Sequence, residues 1–322
     1  MRWRLALVLA VAFLATGIYG AVAYVHNYSV YRGFPPPSDP SGIATGRLVE
    51  DHFQSQALGR EDSYMVYEPP GFQAMAARGV RFPVLYLLHG TVSNALHYIN
   101  VGRVGVNLDE LLAGGRTRPF LIVMPESTDG SFVDDTEWAN TPHGPYESEV
   151  LEVVRQVDEH WPTIPNRSAR AIAGLSMGGY GALNIGLHHL DAFGTIESWS
   201  GYFHQDQAGP FAHASAANLR FNSPVSYAPT IAPELRLLPL HVFLYSGRQD
   251  RLTRNQAPFA QELRGLGVVV RTAEPPGVHD WRLWRAEMPT ALRYAGRRLY
   301  ARPHVAARLH PRVHRARGRR FS

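Results

Sequence analysis

The chain has 322 residues, 45% of them hydrophobic and 18% charged, a composition that excludes a disordered chain and leaves room for one large core or two domains. It contains no cysteine, which excludes disulfides and cysteine-based metal sites. Its formal charge of +5 is unevenly spread: residues 297–322 hold nine arginines and no acid, so the rest of the chain, with 23 basic and 27 acidic residues, carries −4. Arginine supplies every basic residue, a bias expected of a GC-rich bacterial genome.

The first predicted element is a helix. Arg2 and Arg4 precede an uncharged run from Leu5 to Val25, about 20 residues and long enough to span a bilayer. Ala21-Val22-Ala23 fits a signal-peptidase site, so residues 1–30 are expected to be a signal peptide or a transmembrane anchor. Either reading puts the body outside the cytoplasmic membrane. Residues 31–45 read as a proline-rich linker, 46–300 as one catalytic domain, and 301–322 as a basic tail. A solvated terminus and a contact with an anionic surface both fit that tail. Nucleic acid is not an expected partner, because the tail beyond Tyr300 has only Phe321 as a stacking ring.

Within the body, strands alternate with helices. "SYMVYEPPGF" reads as an early strand, "FPVLYLLHG" as a buried strand ending at His89-Gly90, and "PFLIVMPES" as another ending at Pro125, with Glu126 at its tip. In "YESEVLEVVRQVDEHW" the residues Val150, Val153, Val154, Val157 and Trp161 share one helical face. "ARAIAG" is a short strand, "LPLHVFLYSG" a later one, and "VVVRTAEP" the last. "NQAPFAQELRGLG" and "RLWRAEMPTALRYAGRRLY" read as helices, the second despite Pro289. Continuous apolar strands separated by helices predict a mostly parallel sheet covered on both faces, with its site at the carboxyl ends of the strands.

The stretch "GLSMGG" sits between a strand and a helical pattern. Gly174-Leu175-Ser176-Met177-Gly178 fits G-x-S-x-G, a sharp turn that exposes a nucleophilic serine, while the following helix N-terminus offers N–H groups to a developing oxyanion. An incidental serine in a glycine-rich loop is the competing reading. A serine hydroxyl needs a base and an orienting acid. His279 in "GVHDW" and Asp250 in "YSGRQDRLT" follow the last two strands, where the sheet would deliver them to one pocket. Glu274 is a reserve for the acid, and Asp280 a poor alternative because it adjoins the histidine. Met177 and Thr91 are the expected N–H donors, with His89 and Gly90 shaping the loop around Thr91, and Trp281 is expected at the pocket. No cofactor or metal is expected.

"YLLHG", "GLSMGGYGAL", "SWSGYF", "YSGRQD" and "GVHDW", taken together and in this order, resemble the esterase D and antigen 85 family of α/β-hydrolases. The resemblance covers roughly residues 63–300. It implies an α/β-hydrolase fold, Ser176 as nucleophile, His279 as base, Asp250 as acid, N–H donors at Thr91 and Met177, and Ser200-Gly201 lining the pocket. Antigen 85 mycolyltransferases usually carry "YLLDG" and a glutamate acid, so His89 and Asp250 favour an esterase over that transferase. The expected partner is an acyl-ester substrate. Acyl transfer to a sugar or lipid hydroxyl, and a non-catalytic envelope-binding role, are the alternatives.

Overall fold

The structure is a computed structural model and describes residues 2–131, 133, 135–251 and 256–300. The basic tail, residues 301–322, lies outside the described residues. In chain order the elements are helix α1 (Arg2–Tyr31), strands β1 (Arg47–Ser55) and β2 (Arg60–Glu68), the short α2 (Phe72–Ala76), and β3 (Val84–Leu88). Helices α3 (Ala95–Asn100) and α4 (Val104–Ala113) lead to β4 (Leu121–Pro125) and a two-residue ribbon, β5 (Asn140–Thr141) with β6 (Gly144–Pro145). Then come α5 (Tyr146–His160), β7 (Arg170–Leu175), α6 (Met177–His188) and β8 (Thr195–Trp199). The short helices α7 (Ala216–Phe221), α8 (Pro224–Tyr227) and α9 (Ala232–Leu237) precede β9 (His241–Tyr245), α10 (Gln256–Gly265), β10 (Val269–Ala273) and α11 (Trp281–Leu299).

Eight strands form one sheet in the order β1-β2-β4-β3-β7-β8-β9-β10. β1 and β2 pair antiparallel, β2 meets β4 antiparallel, and the remaining pairings are parallel. Along β3 the side chains alternate between two cores. Val84, Tyr86 and Leu88 join the apolar cluster containing α5 and α6, whereas Leu85 and Leu87 join the one containing α4 and α11. The valine face read from the sequence packs as expected: Val150, Val153, Val154 and Val157 of α5 are all buried in the first cluster. Trp161 ends that helix as an extended C-cap and packs partly buried against the same cluster.

α1 runs the length of the apolar N-terminal stretch. Among the described residues no helix is long and apolar enough to cross a membrane. Most side chains of residues 2–12 lie outside the described residues. The C-terminal end of α1 touches the body, packing against α3.

The sheet was extended beyond the predicted strands by β1 and β8. β8 carries Glu197 at a fully buried position, where its Oε2 accepts from the indole N–H of Trp199 at 3.0 Å and burial lifts the carboxyl well above its usual range. Glu149 of α5 is also fully buried; it accepts a hydrogen bond from Ser127, and burial raises its carboxyl from 4.5 to about 8. The folded protein therefore holds a proton that the unfolded chain releases, and stability falls as pH rises from about 4.5 to about 8. Glu149→Gln should flatten this slope, by up to about 1.4 kcal/mol per pH unit relative to the parent. Urea midpoints measured from pH 5 to 8 check it; parallel curves for parent and variant would refute a neutral Glu149.

Candidate active site

The turn between β7 and α6 places Ser176 at φ 55° and ψ −120°, a conformation that costs a non-glycine residue of order 1–3 kcal/mol. The surroundings impose it. The Ser176 N–H donates to the Trp199 carbonyl of β8 at 2.8 Å. Backbones also press together around it: a Cβ on Gly174 would lie 2.3 Å from the Gly178 carbonyl oxygen, and one on Gly178 would lie 1.9 Å from that of Leu88. Only glycine fits at either position, which is why the motif needs it two residues before and after the serine.

Two loops bring the partners. His279 Nε2 lies 2.8 Å from Ser176 Oγ, and His279 Nδ1 lies 2.8 Å from Asp250 Oδ2. A carboxylate only accepts, so Nδ1 carries the proton and Nε2 presents its lone pair to the serine hydroxyl. The Asp250 side chain is 0% exposed and that of His279 22%, so the aspartate is sealed behind an imidazole that still reaches the surface. The loops are laced to one another: Gln249 N–H donates to the Gly277 carbonyl at 3.0 Å, Gly277 N–H donates back to Gln249 Oε1 at 2.9 Å, and Arg248 N–H donates to the Pro275 carbonyl at 2.8 Å. The other two acids considered are placed elsewhere. Asp280 Oδ1 accepts from Arg282 N–H and Leu283 N–H as the N-cap of α11, and Glu274 is exposed.

Thr91 and Met177 are also brought together, with Thr91 Oγ1 3.5 Å from Met177 Sδ. Met177 opens α6, so its N–H is one of the helix's unpaired first-turn donors and sits at the positive end of the dipole. Gly90 belongs to this packing, because a Cβ there would lie 3.2 Å from the Ser176 Cβ. His89 has a different place from the pocket-lining one expected. It is fully buried, its Nε2 lies 2.8 Å from the Glu126 carbonyl, and the Trp138 indole N–H donates to its carbonyl at 2.9 Å. It ties the Thr91 loop to the loop after β4. Glu126 itself accepts from Ala95 N–H at the start of α3.

A cavity of about 490 Å³ opens beside Thr91 and His279, walled by Trp281 and Trp284 of α11 and by Tyr28, Arg32 and Phe34. A second, of about 560 Å³, shares Tyr28, Arg32 and Val92 with it and continues towards Glu126. Ser200 and Gly201 lie beneath rather than on this surface: Ser200 is fully buried and its Oγ accepts from the Trp284 indole N–H at 3.1 Å. The Trp284 ring stands edge-on to the His279 imidazole, 5.0 Å between centroids, and edge-on to Trp281 at 5.6 Å. Sequence reasoning named Trp281 and missed Trp284, although the spacing of three on one helix puts both on the same face. It also missed Tyr28, Arg32 and Phe34, which lie in the stretch read as anchor and linker. Among the described residues no group of three or more His, Asp or Glu side chains is placed to hold a metal ion.

The chain matches the family described as "Putative esterase" over residues 55–295. It is 30% identical over 153 residues to an endo-1,4-beta-xylanase/feruloyl esterase of Xylanibacter ruminicola, a stretch that is 47% of this chain and 21% of that protein. It is 28% identical over 228 residues to an acetyl esterase of Caldicellulosiruptor saccharolyticus, covering 65% of this chain and 82% of the relative. Among solved structures, a ferulic acid esterase superposes with a TM-score of 0.70 at 27% identity, covering 79% of this chain and 99% of that one. With the family matched over most of this chain and the α/β-hydrolase fold in place, the resemblance read from the sequence holds: the chain belongs to the esterase family.

Proposed function

We propose that the protein is an exported serine esterase that cleaves a carboxylic ester through a covalent acyl-enzyme. The observation that carries this is the unbroken line from buried Asp250 through His279 to Ser176, both links 2.8 Å. Ser176 Oγ attacks the acyl carbon as its proton passes to His279 Nε2, and Asp250 stabilises the imidazolium. The tetrahedral oxyanion takes the N–H groups of Met177 and Thr91. As the intermediate collapses, the bond to the alcohol oxygen breaks and His279 returns the proton to the departing alcohol. Water, deprotonated by the same imidazole, then attacks the acyl carbon, and the acid leaves as Ser176 regains its proton. Export is supported by Arg2 and Arg4 ahead of the uncharged run.

One experiment tests both parts. A membrane-impermeant fluorophosphonate should label Ser176 in intact cells, forming an Oγ–P bond with loss of fluoride. Absence of label on purified protein would refute the nucleophile. Label in lysate but none on intact cells would refute export.

A further inference from the structure

The cavity beside the active serine is completed by residues that precede the family-matched region. Tyr28, Arg32, Gly33 and Phe34 line it, whereas the family match begins at residue 55. This segment is fixed to the body at several points. His97 Nδ1 accepts from Asn94 N–H, so its Nε2 carries the proton and donates to the Ser29 carbonyl at 2.7 Å. Arg285 lies over the Phe34 ring at 4.9 Å. Arg32 N–H donates to the Tyr28 carbonyl at 3.0 Å, closing the end of α1.

Arg32 stands at φ 52°, the left-handed position after a helix that glycine or asparagine usually fills. A long cationic side chain is thus kept where the backbone disfavours it. Its guanidinium lies 5.9 Å from the Tyr28 ring centre. Its Nε is buried and has no hydrogen-bond partner among the described residues. Arg282 lines the same cavity. Among the described residues no carboxylate pairs with either arginine; Asp280, the acid on this wall, already has Oδ1 occupied by two N–H groups of α11. The wall therefore offers planar cationic donors and aromatic faces, a combination that recognises an anionic oxygen on a ligand bound within reach of Ser176.

We propose, resting on the serine esterase reading, that Arg32, assisted by Arg282, selects esters carrying a carboxylate or other anionic group. Cleavage after Ala23 would leave Arg32 on the mature chain, so the inference holds whether the apolar run is retained or removed.

The test compares charged and neutral ester pairs on the full chain. On the acyl side the pair is the 4-nitrophenyl monoester of adipate against 4-nitrophenyl hexanoate. On the alcohol side it is 4-carboxyphenyl hexanoate against its methyl carboxylate. Taking the charged-to-neutral ratio of kcat/KM cancels any general loss from disturbing the wall. In Arg32→Gln that ratio should fall about tenfold for one pair, and Arg32→Lys should recover part of it. High salt should lower the parent's ratio and leave that of Arg32→Gln nearly level. Ratios in Arg32→Gln equal to the parent's for both pairs, with neutral-ester cleavage still dependent on Ser176, would overturn the anion selection and leave the esterase reading standing. No Ser176-dependent cleavage of any of the four esters would overturn both.

Discussion

Ser176→Ala should lower kcat/KM for a short 4-nitrophenyl ester by about 10⁴- to 10⁶-fold while the protein still unfolds cooperatively at the parent's midpoint or above. The size follows from the geometry. His279 can do nothing for a water molecule that is not held where Oγ stands, 2.8 Å from its Nε2. What survives is the contribution of the oxyanion donors and of binding. His279→Ala should fall to the same level, because a serine hydroxyl without its base is protonated and weak. The double variant should be no worse than either single one, since the two residues act as a unit. Losses that added, or a Ser176→Ala enzyme within tenfold of the parent, would mean that another group supplies the nucleophile.

The meeting of Ser176, His279 and Asp250 was more legible than the architecture around it, and particular residues show why. Ser176, Asp250 and His279 each follow a strand, and a parallel sheet sends every strand's carboxyl end to one edge. Three residues 29 to 103 positions apart could therefore be assigned to one place without any knowledge of contacts. β8 was passed over as a strand because Glu197 interrupts it, and local pattern cannot tell that its carboxyl oxygen will accept from an indole N–H while burial holds the group protonated. β1 reads as polar because it is an edge strand with an alternating, half-exposed pattern. His89 was assigned to the pocket from its place next to the turn. The side chain is instead buried against the loop after β4, where its Nε2 meets the Glu126 carbonyl, a partner 37 residues away that local sequence does not reveal. The contribution of residues 28–34 was invisible for a different reason. Nothing in an apolar run followed by prolines announces that the end of α1 sits against α3, a contact set by shape and by the His97–Ser29 bond between residues 68 positions apart.

The backbone packing under the serine leads to a second large effect, this time on stability. Gly178→Ala places a Cβ 1.9 Å from the Leu88 carbonyl oxygen and 2.6 Å from that of His89. Both are main-chain atoms of β3 and the turn after it, so no side chain can rotate away to make room. Helix propensity acts in the opposite direction, because alanine inside α6 is favoured over glycine by about 1 kcal/mol. The clash should win, since parting two packed backbones at the centre of the sheet opens voids elsewhere and costs roughly 3 kcal/mol or more. Gly265→Ala gives the contrast: that residue closes α10 with nothing within 4 Å of its added Cβ, so propensity alone applies and stability should hold or rise slightly. Urea denaturation of the two variants beside the parent decides the matter. Gly178→Ala should also lose activity beyond its loss of folded protein, because the strand it displaces leads into Gly90 and Thr91, and a shift of about 1 Å at a donor costs on the order of 10²-fold in rate. Equal stability of the two variants would mean that β3 and α6 are not in the contact that forces Ser176 into its strained turn.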